Sequence, residues 1–177
     1  HTGIRRQRQM CIRDSYSHYD FLGAVENFFS KCAPAMFMGW SNLNFDRRMF
    51  HFNFFKGNRY PYATHSSPNS EHDGLHIARA AQTLNSETLK TELTGAGNPS
   101  LALESLSRMQ GFDTSASHTA YVDAQNSLKV LRIIKNKHKE NWQTFLKTST
   151  KLSVETILKS DGIYSIFENV KLSLIHI

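Results

Sequence analysis

Between Tyr19 and Cys32 the apolar residues Phe21, Val25, Phe28, Phe29 and Cys32 recur mostly at spacings of three and four, which predicts a helix burying that face. Pro34 ends it. Ala35 to Trp40 (AMFMGW) is a short continuous apolar run, the length of a strand buried on both faces and of parallel type. Asn42 to Asp46 then reads as a loop, and Arg47 to Lys56 as a Phe-rich helix ended by Gly57-Asn58. Residues 58–72 hold Pro61, Pro68 and many polar side chains and read as loop. Asp73 is placed to cap a helix through Ile77, Ala80 and Ala81 to about Leu84. Residues 85–99 read as a polar surface excursion.

Ser100 is placed as N-cap of a helix from Leu101 to Met109 closed by Gly111. A longer helix is expected from about His118 or Thr119, burying Ala124, Leu128, Leu131 and Ile134 and ending among Lys135, Lys137 and Lys139, where cations suit the helix dipole. Two short helices follow, the first burying Trp142, Phe145 and Leu146 and the second Ile157 and Leu158. Asp161-Gly162 reads as a turn before a strand starting at Ile163. The pattern places one α/β unit at 16–138, which the resemblance described below makes the C-terminal part of its domain, and a connector with the start of a second domain at 139–170.

Composition adds little until the ends are set apart. Residues 1–15 (HTGIRRQRQMCIRDS) and 171–177 (KLSLIHI) show no helical or strand period, and both resemble translated sequencing-adapter text rather than folded protein. Without them the chain loses four Arg and one Lys against one Asp, so its formal charge falls from +6 to +2 with 16 basic and 14 acidic residues. A nucleic-acid argument from the pI of 9.4 therefore weakens. Hydrophobic content of 40% with 12 Phe fits a packed domain. No window has the roughly 18 uncharged apolar residues of a membrane span. Two cysteines make no disulfide framework, which fits a reducing, cytoplasmic setting.

Two constellations carry chemistry. Asn42-x-x-Phe45-Asp46 directly follows the expected strand, and a carboxylate at the C-terminal end of a central strand sits where open α/β sheets bind ligands. Alone, Asp46 reads first as a cap of the helix that follows it. His118-x-x-x-x-Asp123 opens a helix and combines a base that titrates near neutrality with a hard oxygen ligand for a divalent cation. With nine His in the chain that spacing arises readily by chance. The order of the two, about seventy residues apart, is more specific than either.

Gly39-Trp40-Ser41-Asn42-Leu43-Asn44-Phe45-Asp46, Arg59-Tyr60-Pro61-Tyr62-Ala63, His72-Asp73-Gly74-Leu75, Pro99-Ser100-Leu101 and Ser117-His118 to Asp123 together resemble the exodeoxyribonuclease I branch of the DEDDh exonucleases, over about residues 19–160. The resemblance implies an α/β ribonuclease H-like exonuclease fold, truncated at its N-terminal strands, and stepwise 3′→5′ hydrolysis of single-stranded DNA. It implies that Asp46 and Asp123 hold Mg²⁺, two ions in all, with His118 as general base. Asn42 matches the asparagine the family places near the 3′-terminal nucleotide. Trp40, Phe45 and Tyr62 supply rings for base stacking or, on the blander reading, for the core.

The family's first motif, Asp-x-Glu, occurs nowhere in the chain; truncation upstream of Tyr16 is the expected reason, leaving an inactive fragment of an active parent. Two other readings stand beside it. One is a non-catalytic nucleic-acid-binding module. The other is a zinc-dependent hydrolase, from the His72-Asp73-Gly74-Leu75-His76 spacing that would set two imidazoles on one helix face.

Overall fold

A computed structural model describes residues 17–114 and 119–160. Helix α1 (His18–Cys32) leads to strand β1 (Met36–Gly39) and helix α2 (Asp46–Lys56), then strand β2 (Ser70–Asp73) and helix α3 (Gly74–Leu84). Helices α4 (Leu103–Met109), α5 (Ala120–Lys137), α6 (Trp142–Lys147) and α7 (Lys151–Lys159) follow. The two strands pair in parallel, with Phe37 opposite Glu71 and Gly39 opposite Asp73.

Helices cover both faces of this pair because β1 alternates. Phe37 packs with Leu22, Phe29 and Phe54 of α1 and α2. Met38 and Trp40 pack on the other core, where Ile77, Ala78 and Ala81 of α3 meet Leu89, Leu106 of α4, Val130, Leu131 and Ile134 of α5, and Phe145 of α6. In the first core Phe29 is T-shaped to Phe37 at 4.9 Å and stacked on Phe54 at 6.2 Å, arrangements aromatic quadrupoles favour.

Strand β2 is the main departure from expectation, since the polar pattern there predicts loop up to a capping Asp73. Its sequence, Ser-Glu-His-Asp, has no apolar side chain, yet Glu71, His72 and Asp73 are all buried. Polarity survives burial because each residue is partnered. Glu71, on the Phe37 side, accepts from Arg47 Nε and from Thr64 Oγ1. His72, on the other side, takes the Asp73 N–H on Nδ1 at 2.8 Å and donates from Nε2 to the Phe145 carbonyl at 2.7 Å, tying β2 to α6.

Several helix faces are rotated from those expected. In α1 the buried residues are Leu22 and Phe29, while Phe21 and Phe28 are exposed. In α5 they are Asn126, Ser127, Val130, Leu131 and Ile134; Leu128 and Ala124 face solvent. Hydrophobicity alone misplaces this stripe because two polar residues join it, Asn126 donating to the Asp113 carbonyl and Ser127 to that of Asp123.

The expected two-sided burial of β1 is partial, with Met36 exposed, for β2 is the one strand paired to it among the described residues. Residues 85–99 are not wholly a surface excursion: Thr88 and Leu89 are buried, and the Thr88 hydroxyl meets His138 Nε2 at 2.7 Å. Helix α4 starts at Leu103 rather than Leu101, with Ala102 in place of Ser100 at its N-cap. Helix α7 buries none of its residues fully, Ile157 and Leu158 included. The expected turn and strand beyond Asp161 lie outside the described residues. Among those described, no helix is long and apolar enough to cross a membrane.

Candidate active site

The C-terminal end of β1 delivers the first constellation. After Gly39 and Trp40 the backbone turns at Ser41, which takes a left-handed φ of 58°, uncommon for a residue with a side chain. Asp73 at the end of β2 holds that turn. Its Oδ1 accepts from Ser41 N at 2.8 Å and Leu75 N at 2.9 Å, and its Oδ2 from Leu43 N at 3.4 Å. One fully buried carboxylate thus caps α3, as expected, and also shapes the loop bearing Asn42 to Asp46.

Close approach is needed as well. A Cβ at Gly74 would lie 3.0 Å from the Gly39 carbonyl oxygen and 3.2 Å from Trp40 Cε3, so glycine lets α3 seat against the end of β1.

Asp46 is the first residue of α2, and Phe45, not Asp46, occupies the N-cap with no side-chain cap bond. The capping reading of Asp46 is thereby removed. Its carboxylate is exposed to solvent on one side, and desolvation first, then the nearby charge of Asp73, push its pKa above the usual 3.8, partly offset by its own backbone N–H. Both raising causes penalise the anion, and both are relieved by a cation.

Asn42 is buried and its Oδ1 has no hydrogen-bond partner, an orphan acceptor beside the loop. Phe45 is 66% exposed. Trp40 is committed to the core: its indole N–H donates to the Leu101 carbonyl at 3.2 Å and its ring packs with the α3–α6 cluster.

Tyr62 sits in a ring cluster with Tyr60, His51 and His65, whose centroids are 5.0 to 5.6 Å apart. Asp123 sits in the first turn of α5 and is half-buried. His118 lies outside the described residues.

Among the described residues no three of His, Cys, Asp and Glu converge to hold a metal ion. Asp46 has the oxygen chemistry and the electrostatic need for a hard cation, but the donor set present here is short of a complete site. The zinc-hydrolase reading fails on geometry. His72 belongs to a strand and not to the helix of His76, and both its ring nitrogens are engaged with backbone groups, leaving no lone pair for a metal.

The residues that sequence reasoning misses are Asp73, in its second role as organiser of the loop, and Glu71 with Arg47, which ties α2 to β2. The only advance signal is Asp73 standing before a helix.

The 158 residues that align with exodeoxyribonuclease I of Haemophilus influenzae are 26% identical, covering 89% of this chain and 33% of that protein. The Escherichia coli exodeoxyribonuclease I is 30% identical over 105 residues, 56% of this chain and 21% of that one. The crystal structure of E. coli exonuclease I in complex with a dA16 oligonucleotide superimposes with a TM-score of 0.73 at 21% identity, covering 81% of this chain and 30% of the other.

The chain resembles exodeoxyribonuclease I in sequence and fold.

Its fold is the ribonuclease H-like exonuclease fold, as expected from the motifs. The structure of the exonuclease I complex with a C-terminal segment of SSB matches with a TM-score of 0.71 at 20% identity over 81% of this chain. No protein-family model matches. The chain spans about a third of the length of the first exodeoxyribonuclease I it matches.

Proposed function

We propose that this chain is the part of a metal-dependent 3′→5′ exonuclease that receives the end of single-stranded DNA, and that by itself it binds DNA without cutting it. The observation that carries the reading is the loop from Ser41 to Asp46, held by buried Asp73 at the end of the parallel strands, with the orphaned Asn42 Oδ1 and exposed Phe45 flanking a carboxylate of raised pKa. Relatives of the same fold support it, E. coli exonuclease I having been crystallised with dA16 and dT13 oligonucleotides.

In this reading the side-chain amide of Asn42 donates at the terminal nucleotide while Phe45 stacks on its base. Asp46 and Asp123 are oxygen ligands for Mg²⁺, two ions in the complete enzyme, which would supply charge neutralisation at the phosphate. His118 takes a proton from the attacking water. The Asp-x-Glu carboxylates are not in this chain, which is why cleavage is assigned to the assembled enzyme.

The test joins the chain to an upstream segment bearing Asp-x-Glu and follows a 5′-labelled oligothymidylate in Mg²⁺. The expected product is a ladder shortened from the 3′ end, suppressed by EDTA and by His118→Ala. Early release of the 5′ label, or full activity in His118→Ala, overturns the reading.

A further inference from the structure

Two carboxylates of strand β2, Glu71 and Asp73, stand two positions apart and so on one face of the strand. Asp73 holds the start of the Ser41–Asp46 loop through the N–H groups of Ser41 and Leu43. Glu71 holds its end. Its Oε2 accepts from Arg47 Nε at 2.5 Å, and Arg47 directly follows Asp46. The Arg47 backbone N–H donates in turn to the Asn42 carbonyl at 2.9 Å, closing residues 42–47 into a hydrogen-bonded ring. Arg47 therefore links both ends of that ring to the strand beneath.

The Glu71 side chain is only 4% exposed, and an anion is costly to bury where an apolar pair of similar volume would join a helix to a strand as well. What the charge adds is direction, since a charge-assisted hydrogen bond fixes the rotation of the first turn of α2 and with it the presentation of Asp46.

A third group competes for the same carboxylate. His65 Nδ1 is buried without a hydrogen-bond partner and lies 4.0 Å from Glu71 Oε1, the oxygen that accepts from Thr64 Oγ1. Around it stand Glu71 of β2, Arg47 and His51 of α2, and the Tyr62 ring, the His51 and Tyr62 centroids being 5.0 and 5.5 Å away. Burial lowers the His65 pKa below the ordinary 6.5 against the pull of Glu71, and Arg47 and His51 lower it further. The ring is thus neutral at pH 7.5, and Arg47 has no cationic rival. On acidification a proton on Nδ1 offers Glu71 a second cation and sets that cation against Arg47.

We propose that Glu71 is a positioning residue for the end-binding loop, acting through Arg47 on Asn42 and Asp46, with His65 as its acid-sensitive competitor. The inference rests on the function proposed for the Ser41–Asp46 loop.

The experiment measures the affinity of the full chain for linear and circular oligothymidylates of one length by fluorescence anisotropy. A circle has no 3′ end, so the ratio isolates end binding and cancels the general gain in DNA affinity that acid gives a basic surface. At pH 7.5 the native chain is expected to favour the linear form roughly tenfold, the order of one hydrogen bond and one stacked base. Glu71→Gln and Arg47→Gln should each bring the ratio to about twofold or less, and Arg47→Lys, which keeps the charge, should restore part of it. Acidifying the native chain to about pH 5 should lower the ratio, whereas His65→Gln should keep the native ratio at pH 7.5 and lose the pH dependence.

A structural role alone would lower the melting temperature of Glu71→Gln and leave the ratio intact; that result overturns the proposal and leaves the end-binding reading standing. A pH profile that persists in His65→Gln overturns it as well, and this comparison decides the matter should Glu71→Gln fail to fold. A native chain that binds line and circle equally at pH 7.5 rejects the end-binding reading itself.

Discussion

Three backbone N–H groups, from Ser41, Leu43 and Leu75, converge on the Asp73 carboxylate, which is fully buried. Removing it strands buried donors, and each costs more unpaired than it contributed when paired. Asp73→Ala is therefore expected to destabilise the fold by about 3 kcal/mol in urea titrations. Asp73→Asn keeps one carbonyl oxygen for Ser41 and Leu75 and should cost less than half as much. Equal, small losses in both variants would show that the loop holds its shape without Asp73.

Histidines add a pH dependence at the same scale. Burial first of all lowers the pKa of His51, His65 and His72 below the ordinary 6.5, with the Glu71 charge opposing at His51 and His65 and the bond to the Phe145 carbonyl opposing at His72. The unfolded chain takes up protons below pH 6.5 that these folded imidazoles refuse, so stability is complete above that pH and falls as the solution is acidified through it. Denaturation midpoints at pH 7.5 and 5.5 check this, and an unchanged midpoint would mean the three rings are effectively solvated.

Among the elements, α2 holds two kinds of phenylalanine on one helix. Phe54 contacts Phe29 and Phe50 in the α1–α2 core, so Phe54→Ala should cost about 3–5 kcal/mol. Phe55→Ala, at 77% exposure, should stay within about 0.5 kcal/mol. Comparable losses at both positions would contradict this orientation of the helix.

The sequence shows that residues 47–56 are helical and rich in Phe, but not which rings lie inside, because apolar residues occur on both faces. Strand β1 is legible from its apolar run. Strand β2 is not, since burial there is sustained by ion pairs and backbone bonds of Glu71, His72 and Asp73 that no local pattern encodes. The loop Asn42 to Asp46 is legible as a motif, while its support from the neighbouring strand is visible only in three dimensions.

Among the described residues the sheet is a parallel pair with helices on both faces, and the candidate site lies at the carboxyl ends of its strands, the place where open α/β sheets bind ligands. The resemblance to exodeoxyribonuclease I extends over most of this chain but only a third of the H. influenzae protein, so activity is a property proposed for the longer assembly.

Everything proposed for the site depends on Asp46 being a working metal ligand of that assembly rather than a helix-terminal ornament. The decisive quantity is the Mg²⁺-dependent degradation rate of single-stranded DNA by the chain joined to an Asp-x-Glu segment, compared with its Asp46→Asn variant, alongside DNA affinity for both. The rate should fall by about a hundredfold or more, a loss of some 2.7 kcal/mol in transition-state stabilisation, with affinity within about twofold. An undiminished rate in Asp46→Asn would contradict the assignment.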